Sequence, residues 1–248
     1  MNRFAGTVSQ ASAPRAVAVI LCAGSGSRMR ADRNKVFLSL AGRPLLAHTL
    51  AAFTRATAVD ELLLVAQADE VAQVRALAAE QVAARLLDVI AGGATRHQSE
   101  QRALAALRPR IMSGEIGVVL IHDGARPLVT AAEIDALAAA ARAHGGALLG
   151  TPLAPNERLV RLAPDGTLAA LVPAAGLWRA QTPQAFEARA LLDAYDQAQR
   201  EAFEGTDTAA SFERSGHRVV IVAGSPDNVK VTTPDDLLRA EALLRERR

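Results

Sequence analysis

The chain carries 28 lysine and arginine side chains, and only two of them are lysines, Lys35 and Lys230. A lysine ammonium is a compact charge on a flexible stem that can follow a phosphate as its charge develops. The planar guanidinium of arginine suits bidentate grips instead. Lys35 ends the stretch "LCAGSGSRMRADRNK", which follows an aliphatic run directly. There Gly24 and Gly26 let the backbone approach a ligand, and successive N–H groups can form an anion nest. Arg28 adds a fork of donors for phosphate. A Rossmann loop would need a third glycine where Met29 stands, and a Walker A loop needs a Gly-Lys-Ser/Thr that is absent. A merely glycine-rich turn is the alternative for the loop alone; the loop with Arg28 and Lys35 points to phosphate chemistry.

Two further stretches carry side chains of the same kind. Asp123 closes the run "GVVLIHD", and a carboxylate at such a strand end can hold Mg²⁺. In "GGATRHQS" (92–99), Gly92 permits close approach, and Ser99 can hydrogen-bond a base or ribose; a plain helix start reads equally well there. His122 is read as a packed residue and Asp207 as a helix cap. Cys22, the single cysteine, lies in an apolar run and is read as a buried core residue, which leaves no disulfide and no Cys-based zinc site.

Elements that could position these groups alternate along the chain. Strand-like runs cover 16–22, 61–67, 85–92, 117–123, 146–150 and 217–224. Helical patterns lie near 44–55, 69–83, 97–108, 131–144, 187–203 and 234–246. The runs are continuously apolar rather than alternating, as befits strands covered on both faces. The expectation is an α/β three-layer fold around a mostly parallel twisted sheet, with ligands beyond the carboxyl ends of its strands. Residues 1–15 read as a ragged extension and 16–248 as one domain. The stretch 151–180 breaks the rhythm with prolines, a "PDG" turn and two short pieces, "ERLVRL" and "TLAALV". It reads as a β-hairpin arm, and a lone hairpin is marginal in water, so a second subunit is its expected support.

Composition narrows the class further. Half the residues are hydrophobic and 22% charged, which favours a packed core over disorder. Aromatics at 3% leave little for stacking on nucleic-acid bases, and a net charge of +2 does not call for a polyanion. The apolar run at 16–22 is too short to span a bilayer and feeds straight into the glycine loop, so neither a membrane span nor a signal peptide is expected. The protein is read as cytoplasmic.

With these motifs in order, the chain resembles the 2-C-methyl-D-erythritol 4-phosphate cytidylyltransferase family from about residue 16 to 245. The resemblance rests on Gly-x-Gly-x-Arg-Met with its lysine, "GGATRHQS", "HDGARP", "GLWRAQTPQAF", "TDTAASFE" and "DNVKVTTPDDL". It implies a nucleotidyltransferase-type (Rossmann-like) fold and transfer of CMP from CTP to a polyol phosphate, with Mg²⁺. It implies catalytic roles for Arg28, Lys35 and Lys230, and a nucleotide site at Ala23, Gly24, Gly26, Gly92, Ser99, Asp123 and Gly124. Asp123 would lie by the metal. Arg126, Thr182, Thr206 and Lys230 match acceptor-binding positions, Arg126 reaching across from a partner subunit in a homodimer.

Three positions depart from the family pattern. The arm threonine is missing, with Asn156 the only stand-in; Ala174 replaces an arginine; and Thr208 replaces an acidic residue. All three alterations fall away from the CTP and metal motifs. Three readings stay open: the family reaction with Arg126, Asn156, Arg158 or Arg179 compensating; CMP transfer to another polyol phosphate such as ribitol 5-phosphate; or a nucleotide-binding paralogue without turnover.

Overall fold

The computed structural model describes residues 13–24, 34–154 and 156–247. Gly26 and Arg28 lie outside the described residues. In chain order the elements are β1 (Arg15–Leu21), the short strands β2 (Ser39–Leu40) and β3 (Arg43–Pro44), α1 (Leu45–Arg55), β4 (Glu61–Ala66) and α2 (Val71–Val82). They continue with β5 (Leu86–Ala91), α3 (Arg96–Met112), β6 (Ile116–Asp123), α4 (Ala131–His144) and β7 (Gly146–Pro152). The remainder are β8 (Leu159–Leu162), β9 (Leu168–Val172), β10 (Trp178–Glu187), α5 (Ala188–Arg200), α6 (Thr208–Arg214), β11 (Val220–Ala223) and α7 (Pro234–Glu246).

Seven strands form the main sheet in the order β11-β7-β10-β6-β1-β4-β5. Strands β1, β4, β5 and β6 run parallel, as do β7 and β11, while β10 is antiparallel to both of its neighbours. Alternate residues of one strand point to opposite faces, and the two cores divide accordingly. Ala18, Ile20, Leu62, Leu64, Val118 and Leu120 meet Leu50 and Phe53 of α1, Val74 of α2 and Leu137 of α4 on one face. Val17, Val19, Leu63, Val65, Val119 and Ile121 meet Leu104 of α3, Leu191 of α5 and Phe212 of α6 on the other. This double covering is the physical origin of the unbroken apolar runs. The expected α/β fold with a mostly parallel sheet is what the structure has.

Every helix pattern is matched by a helix and every strand-like run by a strand, within a few residues. Besides the two-residue strands β2 and β3, two elements were not anticipated. Strand β10 sits in the middle of the sheet although it carries Gln181, Thr182 and Gln184, all buried. Each is satisfied by side-chain hydrogen bonds: Gln181 donates to the Ser225 carbonyl, Thr182 accepts from the Asp123 N–H, and Gln184 accepts from the Ala209 N–H and donates to Asp207. The other is α6, seven residues long, whose start is capped by Asp207 accepting from the Ala210 N–H, the cap role expected of it.

Strands β8 and β9 pair antiparallel as the expected hairpin. Its large apolar side chains face outward: Val160, Leu162, Leu168 and Leu171 are all more than half exposed. No helix of the described residues is long and apolar enough to cross a membrane.

Candidate active site

Beyond the carboxyl ends of β1, β4, β5 and β6 lies a cleft of about 550 Å³. Its walls come from Leu21–Gly24 after β1, Asn34–Val36, Gln67–Asp69 after β4, Gly92–Arg96 with Ser99, and Asp123, Ala125 and Lys230. The two lysines, distant in sequence, face the same cavity.

Asp123 is the last residue of β6 and lies 8% exposed, with three cations around its carboxylate. Lys230 Nζ is 2.8 Å from Oδ2, Arg96 Nε is 3.5 Å from Oδ1, and Arg126 Nε is 3.7 Å from Oδ2. Burial alone would raise the carboxyl's pKa, but the charges of Lys230, Arg96 and Arg126 outweigh it and hold the group well below the usual carboxylate range. Three cations thus gather on one carboxylate, and Lys35 lines the same cleft, a grouping suited to phosphates.

The main-chain position of Asp123 is fixed from beneath. Its N–H donates to Thr182 Oγ1 (3.0 Å), and Thr182 lies 3.2 Å from His122 Nδ1. His122 Nε2 lies 3.2 Å from the Arg126 carbonyl, which can only accept, so Nε2 carries the proton. Burial pushes the imidazole's pKa down to about 3, so it stays neutral and Nδ1 accepts from the Thr182 hydroxyl. His122 also packs on Phe53, with ring centroids 5.0 Å apart. It is the packed residue the sequence led us to expect. Thr182 matched an acceptor-binding position, yet its hydroxyl supports Asp123 and His122 from below and it does not line the cleft.

Lys230 arrives on the loop between β11 and α7. Arg126 Nη1 donates to the Asn228 carbonyl (2.7 Å), and Asn228 Nδ2 donates to the Thr182 carbonyl (2.9 Å). The Val231 N–H donates to the Ala125 carbonyl, and the Ser225 N–H to Glu133 of α4. The loop is thus tied to the strand end that carries Asp123. Arg126 was expected to grip an acceptor phosphate; here its guanidinium holds this loop, and its Nε is buried with no hydrogen-bond partner.

Lys35 opens a short 3₁₀ turn capped by Asn34, whose Oδ1 accepts from the Val36 N–H. Asn34 Nδ2 donates to the Cys22 carbonyl (2.8 Å) and to Glu70 (2.7 Å), anchoring the turn to the end of β1. Ala23 and Gly24 line the cleft beside it. Cys22 itself is buried, and desolvation pushes its thiol pKa far up, so it is packing rather than chemistry.

The segment after β5 is compact. A Cβ on Gly92 would stand 2.8 Å from both Ala23 Cβ and Ser99 Oγ, so only glycine lets this loop pack against the β1 loop. Ser99 Oγ accepts from the Gly93 N–H (3.1 Å) and donates to the Thr95 carbonyl (3.0 Å). Its hydroxyl thus ties the loop to the first turn of α3, and Ser99 lines the cleft where a base or ribose was expected to meet it. At Gly124 a Cβ would meet Cys22 Sγ and the Leu21 carbonyl at 3.1 Å, so its smallness lets the chain pack closely there, and the neighbouring Ala125 lines the cavity.

The remaining expected acceptor groups lie elsewhere. Thr206 is exposed ahead of α6 and does not line the cleft, and Asn156 is exposed on the arm. Ala174 is buried at the foot of the arm beside a second hollow formed by the arm itself. Of the other compensating candidates, Arg179 pairs with Glu157 and Arg158 lies on the arm, lining that second hollow. Residues that sequence reasoning missed are Asn34, Arg96 and Glu100. Arg96 and Glu100 sit in a polar run that reads as a solvated helix start, and only the fold turns them inward.

The fit to a divalent metal follows from the donor set. Among the described residues no group of three His, Cys, Asp or Glu side chains could hold an ion. Two carboxylates line the cleft, Asp69 and Asp123, and Asp123 at the strand end among cations that suit phosphate fits Mg²⁺, an ion that binds through one or two carboxylates, water and substrate phosphates.

Comparison with known proteins points to one family. The family model described as 2-C-methyl-D-erythritol 4-phosphate cytidylyltransferase matches residues 16–246. A relative of that name from Geobacter metallireducens is 41% identical over 231 residues, covering 93% of this chain and 97% of the relative. The structure of the Thermus thermophilus protein of that name aligns at TM-score 0.71 and 30% identity, covering 92% of this chain and 98% of that one. A 4-diphosphocytidyl-2C-methyl-D-erythritol synthase from Anaerococcus prevotii aligns at TM-score 0.80 and 26% identity, covering 94% and 96%. The chain belongs to the 2-C-methyl-D-erythritol 4-phosphate cytidylyltransferase family.

Proposed function

We propose that the protein transfers CMP from CTP to 2-C-methyl-D-erythritol 4-phosphate, giving 4-diphosphocytidyl-2-C-methyl-D-erythritol and pyrophosphate for isoprenoid precursor synthesis. The observation that carries this reading is the convergence of Lys35, Lys230 and Asp123 on one cleft at the sheet's carboxyl edge. A phosphate oxygen of the acceptor attacks the α-phosphorus of CTP. A new P–O bond forms as the bond from the α-phosphorus to the bridging oxygen breaks, and that electron pair leaves with pyrophosphate. Such transfers need little covalent work from a protein, so positioning and charge stabilisation dominate. Lys35 and Lys230, with Arg28, neutralise charge on the transferring phosphate, and the loops at Ala23–Gly24 and Gly92–Gly93 receive the nucleotide. Asp123 would hold Mg²⁺, which when bound offsets charge on the phosphates.

The arm is the proposed dimer contact. Its exposed Leu162, Leu168 and Leu171 form an apolar face that a second copy of the chain would cover. CTP is a cytoplasmic metabolite, and that is where we place the reaction.

The deciding experiment measures pyrophosphate release from CTP with purified protein, offering methylerythritol phosphate and ribitol 5-phosphate separately. Turnover with the first is expected. Turnover with ribitol 5-phosphate alone, or CTP binding with no turnover on either, would overturn the assignment.

A further inference from the structure

Behind the wall that carries Asp123 lies a closed polar cluster that the proposed reaction does not by itself explain. Glu100, in the first turns of α3, is 1% exposed. Its Oε1 accepts from Arg96 Nη1 at 2.5 Å and from the Thr208 hydroxyl at 2.7 Å, and its Oε2 accepts from the Tyr195 hydroxyl at 2.5 Å. Thr208 and Tyr195 are themselves buried, on α6 and α5. Arg96 Nη1 also donates to Thr208 Oγ1 at 3.3 Å, which closes the ring of contacts.

A carboxylate in this layer is expensive. The residues of α3 that follow it inward are Ala103, Leu104 and Leu107, and an apolar side chain at position 100 would suit the same interior better. What the carboxylate does is hold Arg96. That guanidinium spans two acids: Nη1 is on Glu100, and Nε lies 3.5 Å from Asp123 at the cleft wall. Burial opposes its charge, but Glu100 and Asp123 keep it firmly cationic. Without Glu100 and Thr208, only the longer contact to Asp123 would restrain a flexible side chain at the cleft edge. Thr208, which departs from the acidic residue of the family pattern, is thus a hydroxyl aimed at the carboxylate supplied by Glu100.

We propose that Glu100 is a positioning residue for the transfer reaction: with Thr208 and Tyr195 it fixes Arg96 beside Asp123, where the guanidinium meets the phosphates of the substrates. This rests on the proposed cytidylyl transfer. Arg96 adds a fixed cation to the wall that Lys230 and Asp123 share, and its geometry is set before substrate arrives, which is where electrostatic catalysis gains most.

Glu100→Gln tests this, because it keeps the shape and one acceptor oxygen while removing the charge that orients Arg96. The expected result is a kcat lower by about 10- to 100-fold, as for support groups behind a reacting site, with KM for CTP within about twofold and an unchanged melting temperature. Placing the carboxylate on the other side of the same guanidinium, in the double variant Glu100→Gln with Thr208→Asp, should recover much of the rate. A wild-type kcat in Glu100→Gln, or a loss in the folded variant that the second substitution does not relieve, would overturn the proposal. Should Glu100→Gln fail to fold, Arg96→Lys decides. It keeps the charge but cannot reach Glu100 and Asp123 together, so a tenfold or greater loss of kcat supports the proposal and a wild-type rate sinks it. Absence of turnover in the unmodified protein would overturn the functional reading and this inference together, whereas an active parent with an equally active Glu100→Gln would overturn this inference alone.

Discussion

Lys230 Nζ lies 2.8 Å from Asp123 Oδ2, joining a loop near the end of the chain to the carboxyl edge of the central sheet. The lysine is 38% exposed in its side chain and the aspartate 11%, so the ammonium is reachable from the cleft while its partner is sunk in the wall. Arg96 and Arg126 share the same carboxylate.

Because those arginines remain, Lys230→Ala should leave the fold intact. We expect turnover to fall by about 10²-fold or more, the scale for removing a group that stabilises developing charge, with the melting temperature nearly unchanged. Lys35→Ala should behave alike. Pyrophosphate release alongside a circular-dichroism melt checks both, and near-normal rates would break the assigned roles.

Asp123→Asn should abolish metal-dependent turnover and also strand three cations without their counter-charge. The folded carboxyl titrates below its unfolded value, so its stabilisation is present above about pH 4 and is lost only as pH falls through the depressed folded pKa. The melting-temperature difference between parent and variant should therefore be flat from about pH 6 to 9 and shrink in acid.

His122 titrates oppositely to a stabilising histidine. Its folded pKa is near 3, below the unfolded value of about 6.5, so the unfolded chain takes up the proton first. Stability is lost as pH falls from about 6.5 toward 3. His122→Gln, which can still donate to the Arg126 carbonyl, should melt lower at neutral pH yet show a weaker acid slope in thermal scans between about pH 7 and 4.

Gly92→Ala would set a methyl 2.8 Å from Ala23 Cβ and Ser99 Oγ. Overpacking of this kind costs about 1–3 kcal/mol, and here it would push apart two loops of the nucleotide cleft. A raised KM for CTP with a modest fall in melting temperature is expected, read from steady-state kinetics at saturating acceptor.

The arm makes its own prediction. Leu171, 71% exposed, is the most open of its apolar residues, so Leu171→Asp should cost little in a monomer but charge the face a second copy would cover. Light scattering after gel filtration should show monomers for the variant and dimers for the parent. A parent that runs as a monomer at micromolar concentration would sink the arm's proposed role.

Much of this protein was legible in its sequence. Strands buried on both faces must be continuously apolar, and helices must carry a stripe at their own period, so the main α/β alternation could be read directly. The same logic put Asp123 and the loops after β1 and β5 at the sheet's carboxyl edge, and the scarcity of lysine singled out Lys35 and Lys230. The sequence did not disclose β10, because Gln181, Thr182 and Gln184 look like loop residues until their partners are known. It could not show that Arg126 holds the Asn228 loop, that Ser99 bonds to the Thr95 carbonyl, or that Gly124 packs on Cys22. Nor could it turn "RHQSE" inward, where Glu100 of α3 meets Thr208 of α6 and Tyr195 of α5. Local pattern is set by which face of an element is buried, and that is written in residue spacing. A buried polar group, by contrast, is defined by partners from distant segments, and only the tertiary structure brings those together.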